Sequence, residues 1–241
     1  MAKAKSSKRP IHFSMLRSYQ PADLITLANG AAGMAAILSI MSYLQTPEKW
    51  RVYLALSLIP AAFIFDILDG KLARRQHKNS VFGQELDSLA DIVSFGVAPA
   101  ALAYGLGING ALDVAILIFF VSCGISRLAR YNDTAAELAD AGGKVRYFEG
   151  TPIPSSLILV LLLALCFYLG RVGNDLPLGV VEIASLQWHP SSLIFLINGS
   201  AMISKTSANA APKPHFNWLI CCWMSIETMT SFCPPRSAGV M

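Results

Sequence analysis

The chain has 241 residues, of which 54% are hydrophobic and only 14% charged. Soluble domains carry about 25% charged residues, so the composition excludes an ordinary water-soluble domain and points to a polytopic membrane protein. The net charge of +4 is no nucleic-acid signal: much of it lies in the N-terminal tail (Lys3, Lys5, Lys8, Arg9, Arg17) and in short loops, where it sets membrane orientation.

Residues 1–20 read as a solvated basic tail, without the directly following apolar run that a cleaved signal peptide needs. Apolar spans are then expected at about 22–45, 52–72, 83–106, 111–130, 153–170 and 191–205. Several approach the ~20 residues that a helix needs to cross about 30 Å of hydrocarbon. Between them lie a basic connector at 73–82, a turn at 107–110, and polar loops at 131–150 and 171–190. Six spans place the tail, the connector (Lys71, Arg74, Arg75, Lys78) and the Arg127, Arg130, Lys144, Arg146 group on one side, which the positive-inside rule makes cytosolic. The expected fold is therefore all-α, a membrane bundle of about six helices spanning 21–206, with a divergent tail at 207–241 whose apolar stretch 216–232 is short for a seventh span. Cys123, Cys166, Cys221, Cys222 and Cys233 form no CxxC or Cys/His pattern, so neither a disulfide framework nor a zinc site is expected. His12, His77, His189 and His215 read as interfacial or loop residues rather than ligands.

The stretch 66–91, DILDGKLARRQHKNSVFGQELDSLAD, breaks the apolar pattern. Asp66 and Asp69 stand i, i+3 on the second span; Gly83, Asp87 and Asp91 stand i, i+4, i+8 on the third. Each set lines one helix face, and two antiparallel helices joined by a short connector aim all four carboxylates at a common point. Ionisable groups at membrane depth mark function, and clustered carboxylates call for a hard cation: one or two Mg²⁺ or Mn²⁺ ions, whose remaining positions suit phosphate oxygens. Gly70, Ala73 and Gly83 are small and permit close approach to the backbone. Arg74 can fork onto a phosphate. A competing reading makes the aspartates solvated loop charges or structural ion-pair partners.

The pattern D-x2-D-G-x2-A-R-x8-G-x3-D-x3-D, met here at every position, resembles the signature of the CDP-alcohol phosphatidyltransferases. That resemblance implies a six-helix membrane fold, usually a homodimer, with a dinuclear metal site and transfer of a phosphatidyl group from a CDP-linked lipid to an alcohol. It further implies Asp66, Asp69, Asp87 and Asp91 as metal ligands, with Asp91 also the general base, and Gly70, Ala73, Arg74 and Gly83 as the CDP-binding positions. No Ser, Cys or His nucleophile stands beside the aspartates with a partner base, which favours direct displacement.

The stretches HFSMLR (12–17), ADLITLANG (22–30), ELDSLADIVSFGVAPA (85–100), RLARYN (127–132) and YFEGTPIP (147–154) resemble the serine-accepting branch of that family, most closely its fungal, endoplasmic-reticulum form. The implied substrates are CDP-diacylglycerol and L-serine. Arg127 and Arg130, i, i+3 near the cytosolic face, either bind the serine carboxylate, with Tyr131 and Asn132 completing the pocket and Glu149 meeting the ammonium, or anchor a helix end at the headgroups. Thr26 and Asn29 in the first span either reach the nucleotide or make helix-packing hydrogen bonds. Three alternatives remain open: another acceptor such as inositol, inositol phosphate or glycerol phosphate; a divalent-cation transporter using the aspartates as an ion path; and, given the divergent tail, a catalytically inactive structural membrane protein.

Overall fold

The computed structural model describes residues 21–76, 81–140, 151–183 and 186–204. Helix α1 spans Pro21–Gln45 and α2 Lys49–Gln76. Helix α3 (Val81–Asp91), a π-helical turn (Ile92–Val97) and α4 (Ala98–Gly105) run on as one rod. Helix α5 spans Ala111–Asp140, α6 Ser156–Tyr168 and α7 Leu193–Ile203, with short 3-10 turns opening the last two. Four stretches are long and apolar enough to cross a membrane: Pro21–Gln45, Lys49–Leu72, Phe82–Gly105 and Ala111–Asn132. Ile153–Tyr168 and Pro190–Ile203 are apolar but shorter. All six expected spans are thus helical, and the chain is an integral membrane protein.

The helices are built for lipid. On α1 the inward face is small or polar (Ala22, Thr26, Asn29, Gly33, Ala36, Ser39), while Leu24, Met34, Leu38 and Met41 lie outward and exposed. In water that arrangement would be inside out; in hydrocarbon, apolar side chains face lipid and polar ones find partners inside. Small residues let α1 press against the α3 rod. A Cβ on Gly30 would stand 3.5 Å from the Ala90 Cβ, and one on Gly33 only 2.7 Å from the Ser94 Cα. Behind this contact lies a core around Phe95, Ile59, Ala62 and Ile40, with Phe63 and Phe95 edge-to-face at 6.1 Å.

The π turn has a local cause. Pro99 lacks an N–H and its ring collides with the carbonyl four residues back, so an α-helix cannot pass through it undisturbed. The chain widens instead, and the Ala98 N–H donates to the Val93 carbonyl five residues away.

The structure departs from the expected loops in three places. The polar stretch from 131 is helical as far as Asp140, because Thr-Ala-Ala-Glu-Leu-Ala is rich in helix formers. The 73–82 connector is shortened from both sides, α2 running on to Gln76 and α3 starting at Val81. The 171–190 loop holds a small antiparallel hairpin, β1 (Val181–Ile183) with β2 (Leu186–Trp188), the one departure from an all-α chain among the described residues. The basic tail, Glu149 and residues 207–241 lie outside the described residues, as do His12, His77 and His215.

The hairpin is fastened at the bundle end remote from the aspartate motif. His189, read as an interfacial or loop residue, is buried, and its Nδ1 lies 2.6 Å from Asp113 Oδ2 at the start of α5. The Asp113 carboxylate also accepts from the backbone N–H groups of His189 (3.1 Å) and Gly110 (3.0 Å). At the same end Arg51 donates from Nη1 to the Ser42 carbonyl and from Nε to Glu48, whose carboxyl its hydrogen bond holds below the usual range. Removing one partner of a buried polar pair costs on the order of 3 kcal/mol. Asp113→Ala is therefore expected to lower the thermal unfolding midpoint of the detergent-solubilised protein by several degrees, read by static light scattering, whereas Glu48→Ala on the exposed rim leaves it unchanged within about a degree.

Candidate active site

Three of the four motif aspartates come together. Carboxylate oxygens of Asp66, Asp69 and Asp87 all lie within 4.8 Å of one another. Asp66 and Asp69 project from α2 and Asp87 from α3, so the antiparallel pairing expected from the sequence is what closes the cluster. Asp69 is buried; Asp66 and Asp87 are half-buried. Asp91, one turn further along α3, stands outside this triplet but close enough for the charges of Asp66, Asp69 and Asp87 to act on it.

Helix α1 supplies what the motif does not contain. Thr26 Oγ1 donates to Asp69 Oδ2 at 2.6 Å. Asn29 Nδ2 donates to Asp91 Oδ1 at 3.0 Å. Both residues thus make helix-packing hydrogen bonds, and these fall on the motif carboxylates. Their signal in the sequence was two polar residues at i, i+3 within an otherwise apolar span. That pattern locates a buried face but does not identify its partners.

The donor set fits a hard divalent cation. It is all oxygen, with no His or Cys within it. Asp87 Oδ1 is buried with no hydrogen-bond partner among the described residues. Such an unpartnered acceptor beside two further carboxylates is a position that a cation satisfies. Asp66, Asp69 and Asp87 would hold it, with Asp91 adjacent.

Comparison with known proteins shows the family. The model of the CDP-alcohol phosphatidyltransferase family matches residues 19–189. The chain belongs to the CDP-alcohol phosphatidyltransferase family. It is 46% identical over 206 residues to the CDP-diacylglycerol–serine O-phosphatidyltransferase of Saccharomyces cerevisiae, covering 84% of this chain and 74% of that one. The enzyme of the same name from Methanocaldococcus jannaschii is 32% identical over 216 residues, covering 87% and 92%. That from Helicobacter pylori strain 26695 is 38% identical over 145 residues, covering 59% and 56%.

Within this CDP-alcohol phosphatidyltransferase, Gly70 and Gly83 flank the carboxylates on facing helices. Ala73 and Arg74 fall on the last turns of α2, and their side chains lie outside the described part of the structure. Of the residues assigned to the acceptor, Arg127 is half-buried on α5, with its Nε buried and unpartnered among the described residues. Arg130 and Tyr131 are exposed. Asn132 is engaged elsewhere: its Nδ2 donates to Ser88 Oγ at 3.1 Å, fastening the end of the α5 span to α3 one residue past Asp87. The sequence gives no sign of this Asn132–Ser88 clip, because the two positions are joined only by the packing of α3 on α5.

Outer-sphere partners orient metal ligands, and losing one costs about 10–100-fold in metal affinity. Thr26→Val keeps the shape of the side chain and deletes the hydroxyl that bonds Asp69. Its Mn²⁺ affinity, titrated by electron paramagnetic resonance, is expected to fall about tenfold; an unchanged affinity would show that the hydroxyl serves packing alone.

Proposed function

We propose that this protein transfers the phosphatidyl group from CDP-diacylglycerol to L-serine, releasing CMP and forming phosphatidylserine. The observation that carries the reading is the Asp66–Asp69–Asp87 cluster with Asp91 one turn beyond it, in a chain whose relatives carry out this transfer. A divalent cation, Mn²⁺ or Mg²⁺, held by Asp66, Asp69 and Asp87 supplies charge neutralisation of the diphosphate. Gly70, Ala73 and Gly83 leave room for the CDP moiety against the helix backbones, and Arg74 forks onto its diphosphate. Arg127, a cation without a hydrogen-bond partner at Nε among the described residues, takes the serine carboxylate; Arg130, Tyr131 and Asn132 border that pocket.

The serine hydroxyl oxygen attacks the lipid-side phosphorus in line. A phosphorus–oxygen bond forms to serine, the bond to the bridging oxygen breaks, and its electron pair leaves on CMP. Asp91 accepts the hydroxyl proton as that bond forms. A carboxylate beside cations is a weak base, so its contribution rests on position and on proton loss late in the step. The basic segments all fall on one side of a six-span chain, which supports a cytosolic active site. We assign the catalytic membrane domain to 21–206, in the endoplasmic reticulum and as a homodimer.

An ion path has no use for Gly70, Ala73, Arg74 and Gly83 at their offsets, and a phosphorylated acceptor would need further cations near the site. In vesicles containing CDP-diacylglycerol, CMP release is expected with serine and not with inositol or glycerol phosphate. EDTA should stop it, and Mn²⁺ or Mg²⁺ restore it. Asp91→Asn is expected to reduce turnover by about 10²–10⁴-fold. A phosphatidyl-enzyme trapped in the absence of acceptor would overturn direct displacement, and ion flux without CMP release would overturn the transfer itself.

A further inference from the structure

We propose that Asn29 is a positioning residue for the reaction: it holds one oxygen of Asp91 so that the other faces the acceptor hydroxyl, and the π-helical turn after Asp91 is what brings the two residues into register. The inference rests on the reading of Asp91 as the group that takes the hydroxyl proton.

Asn29 is fully buried, and its amide nitrogen lies 3.0 Å from Asp91 Oδ1. A carboxylate has two oxygens; the one bonded to Asn29 is fixed, which leaves Oδ2 as the proton acceptor. The amide orientation follows from the contact itself. Reversed, it would set a carbonyl oxygen against a carboxylate oxygen, two acceptors with no proton between them. The opposite end of the same amide, Asn29 Oδ1, is buried with no hydrogen-bond partner among the described residues. A residue kept only for packing would not leave a buried carbonyl unsatisfied, since an apolar side chain of similar size fills the space without that cost.

The approach is held from the second side as well. Ser94, inside the π turn, donates from Oγ to the Asn29 backbone carbonyl at 2.9 Å. Gly33, one turn along α1, gives Ser94 the room to reach it. Asn29 is therefore gripped at its main chain by the turn that follows Asp91 and grips Asp91 with its side chain. π turns are rare and recur at functional sites; here the turn holds Asn29 through one hydrogen bond, and Asn29 holds Asp91 through another.

A double-mutant cycle on the full chain in detergent, with CDP-diacylglycerol and serine, tests this. Asn29→Leu is expected to lower kcat by about 10–100-fold, the effect of a misplaced reacting group. KM for both substrates and Mn²⁺ affinity by paramagnetic resonance should stay within about twofold, as an interaction made only in the transition state requires. Added to Asp91→Asn, with residual turnover measured at enzyme in excess, Asn29→Leu should change kcat by less than about twofold, because its effect passes through Asp91. An equal loss in both backgrounds, or a fall in Mn²⁺ affinity that tracks kcat, would overturn the inference. Asp91→Asn with full turnover would instead remove the reading on which it rests. Should Asn29→Leu fail to fold, Ser94→Ala is expected to give the same kcat-only loss at severalfold size, and an unchanged kcat there would overturn the proposal.

Discussion

Mutual repulsion among carboxylates at the edge of hydrocarbon governs this structure. Two unit charges 4.8 Å apart repel by roughly 3 kcal/mol at an effective dielectric of about 20. Three such pairs approach the whole net stability of a typical domain, about 5–15 kcal/mol. The helices that carry Asp66, Asp69 and Asp87 must therefore be held together by something other than the motif, and the cluster must be discharged when it works. The first need is met by α1, whose small residues close on the α3 rod and whose Thr26 and Asn29 donate into the cluster. The second would be met by a divalent cation held by Asp66, Asp69 and Asp87.

The organisation follows from solvent. Water cannot screen or satisfy a group inside the bilayer, so a polar side chain in a span needs a partner, either on another helix or, as for Ser57 and Ser122, a carbonyl of its own helix. On α1 this requirement is visible in the alternation of faces. Thr26 and Asn29 are buried against carboxylates, Ser39 donates to the Arg51 carbonyl at 2.8 Å, and the large apolar residues point away. The remote end solves the same problem differently, with the Asp113 carboxylate collecting the hairpin, the turn and the His189 ring around itself. One end of the bundle concentrates negative charge for chemistry; the other encloses a single carboxylate in donors for rigidity.

Much of this was legible in the sequence, for identifiable reasons. Span positions follow from apolar runs, and the aspartate cluster follows from offsets of three, four and eight residues, which are rules of one helix and need no knowledge of its neighbours. What escaped is what depends on pairs of helices. The partners of Thr26 and Asn29, Asp69 on α2 and Asp91 on α3, show only once α1 is placed against both helices. The Asn132–Ser88 bond joins α5 to α3, a pairing that no single-helix rule reveals. The burial of His189 depends on a hairpin whose strands are three residues each, too short for alternation to show. The extension of α5 to Asp140 is a different matter: there polarity outweighed helix propensity in the sequence reading, and the propensity prevailed.

The π turn carries one residue more than an α-helix would use over the same rise. An α-helix advances about 100° per residue, so this single addition resets the angular phase between the two halves of the rod. Asp87 and Asp91 lie before it, Ala98–Gly105 after it. The half that faces the cation and the half that packs in the bilayer are thereby set on independent azimuths. Repacking of Ala98–Gly105, six of whose eight residues are buried in the bundle, can proceed without turning the carboxylates away from their target. Loss of one residue between 92 and 97 would not shorten the rod by much, but it would relock the two phases and force one face or the other to the wrong side.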